Sequence, residues 1–110
     1  MKTPLTQDKK LTVIFRVEPG CLGPDGNLHV AEFCKVAQKD IESIDAGFIQ
    51  WEIIPRLDKN LPEMQYKISN KILTQDQAAR YLSIFNKNID ELESHLHDKL
   101  TTSIDHYLGH

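Results

Sequence analysis

Cysteine is scarce in this chain, basic residues are not in excess, and no long apolar run occurs. The 110 residues hold only two cysteines, Cys21 and Cys34, too few for a disulfide scaffold and spaced unlike a zinc site. No apolar stretch approaches the ~20 residues that cross a bilayer. Residues 1–10 lack the apolar segment of a secretory leader. The expectation is a soluble, cytoplasmic protein with no membrane partner. Lys and Arg number 13 against 16 Asp and Glu, a net charge of −3, which argues against a broad phosphate-binding surface. Aromatic residues make up 7% of the chain and show no stacking pattern, so nucleic acid is not an expected partner.

What is present suits one domain with one core. Residues 1–10 carry Pro4 and a polar mixture without periodicity, and read as a flexible N-terminal arm before a single domain over 11–110. Residues 11–17 (Leu-Thr-Val-Ile-Phe-Arg-Val) form the first strand. Leu11, Val13, Phe15 and Val17 share one face, and Ile14 adds apolar character to the other. Pro19 and Gly20 end it, since proline cannot donate to a sheet ladder.

The next element is an amphipathic helix with Asn27 as its expected N-cap. Val30, Phe33, Cys34, Ala37, Ile41 and Ile44 share its apolar arc. Residues 48–54 and 63–69 alternate as strands. A turn at Asn70-Lys71 would lead into a very short fourth strand. Thr74 and Gln77 match a capping box. Asn88 then opens a last helix of about twenty residues, about 30 Å long. Its apolar side is Ile89, Leu92, Leu96, Leu100, Ile104 and Tyr107.

The predicted fold class is therefore α+β, a small mixed sheet of three to four strands with helices on one face. The element order is β-α-β-β-α-α. The first two strands should run parallel through the helical crossover, and the third antiparallel to both. Either the first or the third strand is central. The two apolar faces of the first favour it. The helices should cover the face carrying Val13, Trp51 and Tyr66.

Both strand orders bring residues 18–27 and 55–62 to one edge of the sheet, where open sheets with parallel strands tend to bind ligands. Cys21, Asp25, Arg56, Asp58 and Lys59 are the candidate binding residues there. The helix N-terminus beside them would favour a small anion. Gly20, Gly23 and Gly26 match neither a dinucleotide fingerprint nor a Walker loop, so no cofactor is expected. His95 and His97 lie roughly 200° apart on a helix, which prevents them from gripping one ion. His106 and His110 have i, i+4 spacing at the chain end. No metal site is expected.

Cys21-Leu-Gly-Pro24, after a strand and before a helix, resembles the redox site of thioredoxin-like proteins in element order. Leu61-Pro62 before a later strand stands where that fold carries a cis-proline. The resemblance implies thiol chemistry at Cys21, although the second cysteine is absent and the chain between strands two and three is short. The reading preferred here is a non-catalytic interaction or ligand-binding domain that self-associates, as a dimer, with a protein partner or small anionic ligand as alternatives. Exposed sheet edges and the overhanging far turns of the last helix are its basis. A thiol-dependent or thioredoxin-like small enzyme using Cys21 is the competing reading.

Overall fold

A strand with apolar side chains on both faces belongs in the middle of a sheet, and the first strand lies there. The computed structural model of this protein describes residues 9–109. Most of the expected N-terminal arm, and His110, lie outside the described residues. The elements are β1 (Leu11–Val17), a 3-10 turn (Pro19–Leu22), α1 (Gly26–Ile41), β2 (Ile49–Pro55), β3 (Met64–Ile68), β4 (Lys71–Leu73), α2 (Gln75–Ile84) and α3 (Ile89–Leu108). The four strands make one sheet in the order β2-β1-β3-β4. β2 runs parallel to β1 and β3 antiparallel. The α+β class, the element order and the central first strand are as the sequence predicts.

Register places Val13 between Trp51 and Tyr66. All three are buried, in one cluster with Phe33 and Ile41 of α1, Leu82 of α2 and Leu96 of α3. Trp51 Nε1 donates to the Ile44 carbonyl at 2.8 Å, so the indole is both packed and hydrogen-bonded. On the other face of β1, Thr12, Ile14 and Arg16 stay 6–8% exposed. Their neighbours Gln50, Glu52, Gln65 and Lys67 are half-buried. Side chains of the flanking strands shield that row, and Arg16 donates to the Pro62 carbonyl at 2.8 Å.

Helix starts follow local chemistry at α2 and α3. Thr74 Oγ1 accepts the Gln77 N–H at 3.2 Å, and the Gln77 side chain accepts the Thr74 N–H at 2.9 Å. The Asn88 side chain accepts from the N–H groups of Asp90 and Glu91. α1 departs from expectation: it begins at Gly26, with Asp25 at the N-cap position making no side-chain cap bond. The preceding turn launches it instead. The Gly26 N–H donates to the Gly23 carbonyl at 3.0 Å, and a Cβ at position 26 would lie 1.7 Å from the Pro19 carbonyl oxygen. Only glycine allows that approach.

The β3–β4 turn also shifts by one residue, to Ser69-Asn70, with Ser69 at φ 56°. This register sets Leu73 opposite Tyr66 on the core face and Ile72 opposite Lys67. A slip would exchange the faces.

One sheet edge and part of the last helix, both expected to be open, are covered within one chain. At the β2 edge, Gln38 of α1 donates Nε2 to the Trp51 carbonyl at 2.8 Å, and its Oε1 accepts the Ile53 N–H at 2.9 Å. A side-chain amide thus takes the place of a neighbouring strand. β4, at the other edge, is three residues long. The far turns of α3 are partly covered by α1: Phe33 meets Tyr107 edge-on at 5.5 Å, Ile104 packs against the core, and Leu108 stays exposed.

Candidate functional site

The parallel strands β1 and β2 end at the same edge, and the loops that follow them meet there through Glu18. Its carboxylate accepts from Arg56 Nη1 at 3.0 Å and from Lys59 Nζ. The bond from Lys59 is the largest cause holding the Glu18 carboxyl below its ordinary value of 4.5; desolvation opposes it, and Arg56 adds to the lowering. Arg56 also donates to the Leu61 carbonyl at 3.2 Å. Asp58 Oδ1 accepts the Asn60 N–H at 2.9 Å and closes the loop on itself. The predicted meeting of the two loops is present, and both of its cations bond to Glu18. At the start of α1 the Gly26 N–H donates to the Gly23 carbonyl and the Leu28 N–H to the Asp25 carbonyl.

The cavity lies beside this clamp, where α3 diverges from the end of β1. Its volume is about 160 Å³. Phe15, Val17, Phe33, Leu100 and Ile104 form the apolar walls, and Glu18, Cys21, Glu63, His97 and Thr101 supply the polar groups. Of the five predicted positions Cys21 alone lines it. Asp25, Arg56, Asp58 and Lys59 do not. The His97 ring meets Phe15 edge-on with centroids 5.7 Å apart. Thr101 Oγ1 donates to the His97 carbonyl at 3.0 Å, which leaves its methyl group to the helix surface. Glu63, His97 and Thr101 were not among the sequence candidates. The available signal was the length of α3, whose later turns had to pass the end of the short strands.

The two thiols differ as expected. Cys34 is buried in the core, and desolvation pushes its thiol up to about 11, so it is inert at neutral pH. Cys21 is exposed at the cavity mouth. The thioredoxin-like expectation is not matched in its second marker: no peptide bond among the described residues is cis, that before Pro62 included.

The remaining histidines form no centre. A depression of about 370 Å³ runs along α3 past Asp90, Glu91, Ser94, His95 and Asp98. Every one of these residues comes from a single helix, so it has no second wall and is a surface strip. His29 meets Tyr107 edge-on at 6.1 Å. Among the described residues no group of three His, Cys, Asp or Glu is placed to hold a metal ion. No helix among them is long and apolar enough to cross a membrane. A scan against protein-family models, a search of curated proteins and a search of solved structures each return no match to this chain.

Proposed function

We propose that this domain is a small-ligand binding module whose site is the cavity between the end of β1 and α3. The observation that supports it is an apolar space of about 160 Å³ with polar groups at its mouth, at the sheet edge where parallel strands end. A cavity of about 150 Å³ accepts a benzene-sized molecule, so the buried part of the ligand is about one ring in size. The test is an NMR fragment screen on the 15N-labelled protein and on Thr101→Trp. Thr101 is exposed, so the indole can close the mouth without entering the core. Fragments of one ring should shift the amides of Cys21, His97 and Leu100 in the parent and leave them unmoved in the variant. Equal shifts in both proteins would refute the site.

A thiol enzyme is the second reading, favoured by one observation: Cys21 and His97 line the same cavity. Its test is the rate of Cys21 alkylation by a small apolar electrophile in the parent and in His97→Gln. A large drop would make the imidazole a base for the thiol, whereas an unchanged rate would remove the reading. Self-association finds less support because Gln38 occupies the β2 edge. Sedimentation at micromolar concentration showing a species heavier than one chain would restore it.

A further inference from the structure

The charge at the cavity mouth selects among ligands, and it does so against the anion expected from the loops. No Lys or Arg lines the cavity, whereas two carboxylates, Glu18 and Glu63, do. Their situations differ. Glu18 is neutralised by Arg56 and Lys59. The Glu63 side chain meets no cation among the described residues. It therefore leaves one uncompensated negative charge beside a small apolar space. An anionic group there would face repulsion from Glu63 with no lining Lys or Arg to offset it.

We infer that the ligand is a small organic amine, its ammonium group against Glu63 and its one-ring apolar body between Phe15, Phe33, Leu100 and Ile104. The inference rests on the cavity being a binding site and adds the chemical class of the occupant. Size and charge act together. The walls accept any ring of suitable volume, and the hydrogen bond from a charged N–H to Glu63 discriminates between rings. His97 and Cys21 complete the mouth.

The experiment compares three probes of nearly equal size by NMR titration: benzylammonium, benzyl alcohol and benzoate. Benzylammonium should bind about tenfold more tightly than benzyl alcohol, the usual advantage of a charge-assisted hydrogen bond, and benzoate should not bind. Glu63→Gln should bring benzylammonium down to the level of the alcohol and leave the alcohol unchanged. Glu63 is exposed, so the variant should keep the fold. Asp76→Asn changes net charge equally on α2, which contributes nothing to the cavity, and should preserve the preference. Benzoate binding as well as benzylammonium would overturn the amine assignment while leaving the cavity a binding site. A preference for benzylammonium that survives Glu63→Gln would overturn Glu63 as the partner of the ammonium group. No binding by any of the three would overturn both.

Discussion

The two ends of the sheet are built differently. At the end where β1 and β2 begin, aromatic rings pack the centre. The hollows that remain are peripheral and lined mostly by polar residues, one of about 140 Å³ along Asp45, Lys87 and His95 and one of about 290 Å³ along Lys10, Gln38 and Gln50. Phe48 and Phe85 stack with centroids 4.4 Å apart, and Tyr81 adds its ring at 5.2 Å. The Tyr81 hydroxyl donates to the Lys9 carbonyl at 2.9 Å, and Lys87 pairs with Asp45 at 3.4 Å. At the end where β1 and β2 finish, an ionic clamp ties the loops together and a cavity remains beside it. Close packing is the norm in protein interiors, so a space walled by Phe15, Val17, Phe33, Leu100 and Ile104 is a more informative feature than the polar hollows at the other end. The aromatic end is the packed one, and the other end holds the space in which the proposed ligand would sit.

The largest expected effect lies on the packed side. Trp51→Ala removes a buried indole and its hydrogen bond to Ile44, and should cost about 3–5 kcal/mol. Denaturant unfolding measures it, and a loss below ~1 kcal/mol would mean that β2 is not anchored by this side chain.

Gln38→Ala comes next. It strips the Trp51 carbonyl and the Ile53 N–H of their partner, at a cost of about 1–3 kcal/mol. It also frees the β2 edge for another strand. The variant should show concentration-dependent association in sedimentation where the parent does not. A monomeric variant would show that the edge is protected by something other than this amide.

Thr101→Leu reverses the sign at the open end. A longer apolar side chain at the cavity mouth, with better helix propensity, should stabilise by about 0.5–1 kcal/mol. A destabilised variant would mean that neighbouring side chains already fill the space, and the contrast between the ends would fail.

Much of this architecture is legible one element at a time. Thr74 with Gln77, and Asn88 with its two N–H groups, are caps readable over three residues. The apolar arc from Val30 to Ile44 follows the helical period, and Ile14 between Thr12 and Arg16 marks β1 as central. Features that depend on register across distant elements are different. Gln38 reads as an ordinary polar helix residue until β2 is laid against it 13 residues on. Gly26 looks like loop composition until the Pro19 carbonyl is placed over it. The cavity needs β1, the 3-10 turn, α1, the approach to β3 and α3 together, so Cys21 was visible as a loop residue while Glu63 and His97 were not. The ion pairs are hidden for the same reason: Arg56 and Lys59 look free until Glu18, about forty residues earlier, is brought to them.

The smallest effect concerns that clamp, and its sign follows from linkage. Lys59 and Arg56 hold the folded-state Glu18 carboxyl below 4.5. The unfolded chain therefore takes up the proton first as pH falls. Glu18 thus adds stability above its unfolded value, and that contribution is lost as pH drops through the lower folded value. Glu18→Gln should flatten the acid limb of the melting-temperature profile in that window, with only a slight change at neutral pH, because the pair is open to solvent and screened. High salt should shrink the difference between the two proteins. The clamp also holds the loops beside the cavity, so the variant separates two roles for the open end. If Glu18→Gln leaves benzyl alcohol binding intact, the walls alone shape the site. If it weakens binding of the neutral probe, the ion pairs position the mouth, and the open end depends on electrostatics where the aromatic end depends on packing.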